Sequence, residues 1–470
     1  MDTGEFRKRA HEIADWMADY LEGIGERPVR SPSAPGEIAA ALPAGAPVHG
    51  EPFDAIMADL DRIVMPGMTH WQHPRFFAYF PANATPPSML AEMITATLGA
   101  QCMLWQTSPA ATELETRLLE WLRGMIGLPG GFAGVIQDSA SSAVLCAILT
   151  ARERALGWKG NEDGLAGGPE LAAYASDETH SSVEKAARIA GIGTRGLRRV
   201  ALDGDRRMDA AALDAAIARD MAGNVRPVIV IATLGSTGVG AVDDLASIAA
   251  VCRRHGVYLH VDAAWAGSAL ILPEYRAMIE GIESVDSLCF NPHKWLGVQF
   301  DCSAHFVRDP DSLVRTLSIL PAYLQGRETG SVIDYRDWGI PLGRRFRALK
   351  LWFVLRYYGV SGLQEMLRNH IAWTRELASQ IDGNGEFELT SGPNLALLSF
   401  RWRPAGRAEE ELDELNQRLL DAINDDGRIY LTPNRIDGRL VIRVSVGAHA
   451  TRRGDVLDAF RVIREIAARV

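Results

Sequence analysis

The chain has 470 residues, 47% hydrophobic and 23% charged, with 49 basic and 59 acidic side chains and a net charge of -10. That length suits two or three lobes around a large core, and the acidic balance argues against nonspecific nucleic-acid binding and an anionic membrane surface. Five cysteines, Cys102, Cys146, Cys252, Cys289 and Cys302, show no CxxC spacing, as expected in a reducing compartment and not at a zinc site. No apolar run reaches the roughly 18 residues of a membrane span. Residues 1–12 lack the apolar stretch of a secretory signal, so a cytoplasmic protein is expected.

Residues 5–24 read as an amphipathic helix, with Phe6, Ile13, Trp16, Met17, Tyr20 and Leu21 recurring near helical spacing. A Pro/Gly/Ala-rich stretch over 28–52 reads as a linker or extended arm, and a short helix over 53–64 ends before Pro66-Gly67. Residues 1–85 are therefore expected to be a helical arm and not an independent domain. From 86 to 345 short apolar runs alternate with helical stretches. The runs are 171–175, 227–233, 257–261, 287–290 and 303–307, with a helix such as 245–255 between them. This alternation predicts βαβ units and a mostly parallel sheet, so an α/β fold. From 346 to 470, helices over 347–358 and 363–381, strands over 395–402 and 439–446 and a helix over 455–468 predict a smaller α+β domain.

In parallel sheets ligands sit beyond the carboxyl ends of the strands, and four such places carry chemistry here. Gln137-Asp138-Ser139-Ala140-Ser141-Ser142 opens a helix, and small and hydroxyl residues there suit an anion such as phosphate, although Ser and Asp are also ordinary caps. Thr233-Leu234-Gly235-Ser236-Thr237-Gly238 offers a second hydroxyl cluster. His260-Val261-Asp262-Ala263-Ala264 ends a buried run on a carboxylate, which needs a cation or strong donors. Asn291-Pro292-His293-Lys294-Trp295 places a lysine among apolar neighbours, where desolvation frees its amine as a nucleophile. A phosphate site, a buried Asp and a desolvated Lys after it have one joint explanation, pyridoxal 5′-phosphate (PLP). Lys294 would bind it as a Schiff base, Asp262 would hold the ring nitrogen protonated, and the Ser/Thr loops would hold the phosphate.

These stretches, together with His73-Pro74 through Phe80-Pro81, Ser108-Pro109-Ala110-Ala111-Thr112-Glu113-Leu114-Glu115 and Asp337-Trp338-Gly339-Ile340-Pro341-Leu342-Gly343-Arg344-Arg345-Phe346, resemble the group II PLP-dependent decarboxylases. The resemblance is specifically to the aromatic L-amino-acid decarboxylases and runs over nearly the whole chain. It implies the fold type I PLP architecture, in an obligate homodimer whose N-terminal arms swap and whose active site lies at the interface. Trp71, Tyr79, Phe80 and Pro81 would lie near the substrate. His180, in Thr179-His180-Ser181-Ser182, would stack on the pyridine ring. Ala140, Ser141 and Thr237 would contact the phosphate, with Asn291 and His293 nearby and Ala264 under the ring. Tyr323, in Leu320-Pro321-Ala322-Tyr323-Leu324, matches the tyrosine of a mobile catalytic loop and would return a proton to Cα as general acid.

The reaction so implied is that of a carboxy-lyase: an aromatic L-amino acid gives its amine and CO₂. Two departures bear on the substrate. Gln101 and Met103 stand where aromatic-specific members usually place an aliphatic residue and a phenylalanine, while Gly343 leaves room at a position used for substrate size. Competing readings are an aldehyde synthase, disfavoured by Tyr323 and His180, and a group II decarboxylase of a non-aromatic amino acid. A third is an aminotransferase that clamps the carboxylate with Arg443, but a decarboxylase gains nothing from stabilising that ground state. Arg443 is therefore read as structural or as making a lesser contact.

Overall fold

In the computed structural model, residues 1–319 and 332–470 are described. Five runs become strands buried along most of their length: β2 (Leu171–Ser176), β4 (Arg226–Thr233), β5 (Tyr258–Asp262), β6 (Ser287–Phe290) and β7 (Ser303–Val307). Strands buried on both faces need helices on each side, which is why they read as continuous apolar runs. With β1 (Ala133–Gln137) and β3 (Leu197–Val200) they form a seven-stranded sheet in the order β1-β7-β6-β5-β4-β2-β3. The pairs from β3 through β2, β4 and β5 to β6 are parallel. β7 runs antiparallel to both β6 and β1. Fold class thus follows the expectation: α/β with a mostly parallel central sheet.

The helix Ala140–Leu156 lies on one face of this sheet, burying Ala143, Val144, Ala147, Ile148 and Ala151 against Ile229, Ile231 and Cys289. Alanines at positions 143, 147 and 151 recur every four residues, so a flat small-residue face lets the helix approach the strands closely. Its start sits beyond the end of β1, where Ser139 caps it by accepting from the Ser142 N–H at 3.3 Å.

The contacts divide the chain into two compact units, residues 1–81, 370–390 and 398–470, and residues 82–369 and 391–397. A second sheet of four strands has the order β10-β11-β9-β8, from β8 (Phe387–Asn394), β9 (Leu397–Trp402), β10 (Thr432–Ile436) and β11 (Arg439–Ser445). Within the first unit the chain near residue 76 is strapped down by its backbone: Phe77 N–H donates to Tyr430 C=O, and Ser445 N–H donates to Phe77 C=O. The leading helix Thr3–Gly23 buries no residue, although it carries the apolar positions read from the sequence.

Candidate active site

The parallel pairing of β5 with β6 sets Asp262 directly beside Cys289. Both strands therefore end at the same rim, and the short helix Pro292–Trp295 that carries Lys294 begins two residues after β6. Lys294 is half-buried. Its turn is fixed on several sides: Asn291 N–H donates to Ala264 C=O at 2.9 Å, and the Asn83 amide donates to the Lys294 C=O at 2.7 Å. Trp295 is fully buried and stacks on Trp265 at 5.0 Å. Such packing holds the backbone that carries the amine.

Asp262 is 5% exposed. Its Oδ1 accepts the Ala264 N–H at 3.0 Å and lies 4.0 Å from the Cys289 thiol. His180 follows β2 and is held by Ser182, whose N–H donates to Nδ1 at 3.1 Å and whose hydroxyl lies 2.8 Å from it. Desolvation lowers the His180 pKa, Asp262 opposes that shift, and Lys294 lowers it further. The ring therefore feels both the carboxylate and the ammonium, so these three groups share one electrostatic neighbourhood.

At the next strand ends, Thr237 and Ser141 are exposed and Ala140 is buried. Ala140 and Ser141 open a helix of 17 residues, whose first amides point out of its end and favour an anion. Gly235, after β4, has φ +79, and a Cβ there would collide with Ala266. Ser236 is pinned by donating to Glu178 at 3.1 Å. Buried Asp243 accepts the N–H groups of Met208 and Thr233, each at 2.7 Å, and so anchors the end of β4. Asn291 is buried, with Oδ1 unpartnered among the described residues. His293 is buried too, and burial takes its pKa down to about 3; its Nδ1 accepts the Cys302 N–H at 2.9 Å. Neutral His293 therefore braces the lysine loop from behind.

The residues expected near the substrate fall into two groups. In the first unit Trp71 stacks on Tyr79 at 5.6 Å, Tyr79 meets Tyr430 edge-on, and Phe80 lies 4.5 Å beneath the Arg443 guanidinium, next to buried Pro81. Arg443 also donates to the Tyr79 C=O at 2.8 Å, and burial lowers its pKa to about 9. In the second unit Gln101 Oε1 accepts the Arg344 N–H at 2.6 Å, which turns Nε2 toward Gly343. The Met103 C=O accepts from Arg336 N–H at 3.0 Å. Tyr323 lies outside the described residues. Asn83, Asp243 and Cys289 are the site-shaping residues that reading the sequence did not single out.

A half-buried lysine amine, a buried carboxylate, an imidazole coupled to both and a helix start whose free amides favour an anion form a donor set that fits a phosphorylated pyridine aldehyde. Among the described residues no cluster suits a metal ion, and no helix is long and apolar enough to cross a membrane.

Residues 35–403 match the pyridoxal-dependent decarboxylase conserved domain. The chain is 42% identical to the aromatic-L-amino-acid decarboxylase of Mus musculus, across 100% of this chain and 99% of that protein. It is 40% identical to the phenylacetaldehyde synthase of Arabidopsis thaliana, across 100% and 97%. A solved structure of an Oryza sativa TDC with PLP and tryptamine superposes with a TM-score of 0.96 at 36% identity, covering 100% of this chain and 99% of that one.

Proposed function

Because the chain belongs to the pyridoxal-dependent decarboxylase family, we infer that it takes an aromatic L-amino acid and releases the corresponding amine and CO₂. The observation that carries this reading is that Asp262 and Lys294 follow from the ends of the neighbouring strands β5 and β6, with His180 coupled to both. PLP, when bound, supplies the electron sink that accepts the pair left by departing CO₂. In this reading Lys294 Nζ would be the residue that holds the cofactor, at the place the substrate amine would take. Asp262 would hold the ring nitrogen, and His180 and Ala264 would be the residues that flank the ring. Ala140, Ser141 and Thr237 hold the phosphate, with Asn291 and His293 supporting that wall. Tyr323 returns the proton to Cα. Trp71, Tyr79, Phe80 and Pro81 favour an aromatic side chain, while Gln101, Met103 and Gly343 set its size and polarity.

The working unit in this reading is a cytoplasmic homodimer with the active site at its interface. The helix Thr3–Gly23 buries nothing, and on the helix Pro86–Leu98 the residues Leu90, Met93, Ile94 and Leu98 form an exposed stripe at helical spacing. A second copy of the chain is the partner that would cover them. All five cysteines are free and buried, as suits a reducing compartment.

The test is to incubate PLP-loaded protein with L-tryptophan, L-DOPA, L-tyrosine, L-phenylalanine, L-histidine and L-glutamate and identify products by mass spectrometry, with sedimentation velocity on the same preparation. Amines from aromatic substrates, from a dimer, are expected. Aldehyde with peroxide would move the protein to the oxidative branch, the activity named for the Arabidopsis relative. Turnover of glutamate alone would overturn the substrate class.

A further inference from the structure

We propose that Ser287, His260 and Cys289 form a buried hydrogen-bonded relay that positions Asp262 as the partner of the cofactor's ring nitrogen. The proposal rests on the reading of Asp262 given above and adds three positioning residues behind it.

The relay follows from strand register. β5 and β6 pair with His260 opposite Ser287 and Asp262 opposite Cys289. Side chains two apart on a strand share a face, so all four point to the same side of the sheet. The Ser287 hydroxyl lies 2.7 Å from His260 Nδ1, His260 Nε2 lies 3.6 Å from Cys289 Sγ, and Sγ lies 4.0 Å from Asp262 Oδ1. One proton arrangement uses every link: Ser287 O–H donates to Nδ1, Nε2–H donates to Sγ, and S–H donates to Oδ1. The chain of donors therefore runs toward the carboxylate.

Burial keeps that arrangement. His260, Ser287 and Cys289 are inaccessible to solvent. Burial, reinforced by the Asp262 charge, pushes the Cys289 thiol well above its ordinary pKa, with Lys294 opposing. Burial also pushes the His260 imidazole well below its own, and His305 adds to that shift. The sulfur is thus a protonated donor and the ring is neutral. His305, opposite Cys289 on β7, stands edge-on to His260 at 5.9 Å. Among the described residues His180 and Lys294 are also titratable groups coupled to Asp262 or Cys289.

Oδ1 is therefore committed to Ala264 N–H and the thiol, which leaves Oδ2 as the oxygen for a ring nitrogen. A donor on Oδ1 fixes the orientation of the carboxylate and so its hold on a ring nitrogen at Oδ2. The alternative is that Cys289 only fills space beneath the helix Ala140–Leu156, where it packs in an apolar cluster. A thiol is a weak donor, so the expected effect is modest and must be read at the ring nitrogen.

The experiment compares wild type, Cys289→Val, Cys289→Ser and Asp262→Ala, each loaded with PLP labelled with ¹⁵N in the ring. Cys289→Val keeps the volume and loses the donor. It should weaken PLP binding about three- to tenfold, the scale of one modest hydrogen bond, and move the ¹⁵N signal toward neutral pyridine. Cys289→Ser should restore both. An unchanged signal and affinity in Cys289→Val, with both altered in Asp262→Ala, would overturn the relay alone. An unchanged signal in Asp262→Ala would overturn the Asp262 reading and the relay with it. Should Cys289→Val fail to fold, Ser287→Ala unties the far end, and an unmoved ¹⁵N signal there counts equally against the relay. Amine formation by the wild type is scored separately, so failure of the decarboxylase reading is distinguishable.

Discussion

Lys294 shows what a single residue needs from its surroundings. Its turn begins where β6 stops, Pro292 sets the first helical residue, and Asn83 clamps its carbonyl from more than 200 positions away in sequence. If this amine is the attachment point, borohydride reduction of the loaded protein should fix PLP's mass on the peptide containing residue 294. Lys294→Ala should carry none. A reduced adduct that survives in Lys294→Ala would remove the assignment. Lys294 and Asp262 were legible in the sequence because each closes an apolar run with a charged group, a pattern that burial makes costly without a reason. Cys289 and Asn83 were not. A cysteine inside an apolar run looks like packing, and only the register of β6 against β5 reveals that it faces Asp262. Asn83 lies in a loop, and its partner becomes known only when the second unit has folded.

Whole elements were legible wherever burial wrote a continuous apolar signal. The strands over 287–290 and 303–307 and the helix over 245–255 fall at their expected bounds. β1 and β3 were not read. β3 is Leu-Arg-Arg-Val at the sheet edge, and one of its arginines is exposed, so it lacks the apolar run of an inner strand. β1 has a glycine, Gly134, as its second residue, where a Cβ would press on Phe306 and Leu119. The helices expected over 347–358 and 363–381 are present as two helical segments within Arg347–Asp382, separated by a kink at Gly359, whose φ of +65 is not helical. The turn after β4 is closely packed. Gly235→Ala there must adopt a left-handed backbone and displace Ala266. The two penalties together should cost about 2–4 kcal/mol of stability. Urea melts of the wild type and the variant measure it, and a loss below about 0.5 kcal/mol, within the range of an ordinary surface change, would show that the turn relaxes freely.

Across the whole molecule the buried histidines make a prediction about acid. His73, His260, His293, His305 and His370 are each at most 3% exposed. Burial lowers their pKa values, to about 4 for His73 and His305, to about 3 for His293 and His370, and well below 6.5 for His260. The unfolded chain takes up these protons near 6.5 while the folded chain refuses them, so stability falls as pH drops below 6.5. Each such group costs about 1.4 kcal/mol per pH unit in that window. Buried Asp243 acts in the opposite sense: its pKa is raised to about 6, so it binds its proton in the folded state first and favours folding as pH falls through that value. The histidines outnumber it, and the melting temperature should drop steeply from pH 6.5 to 5, before ordinary carboxylates titrate. His305 is the cleanest place to test the cause, because neither ring nitrogen has a hydrogen-bond partner among the described residues. His305→Leu should leave the fold intact at pH 7.5 and remove one histidine's share, about 1.4 kcal/mol per unit, from the acid dependence. Thermal melts of both proteins between pH 7.5 and 5 decide the matter. Parallel curves would mean that His305 is protonated in the folded protein and that burial does not set its charge.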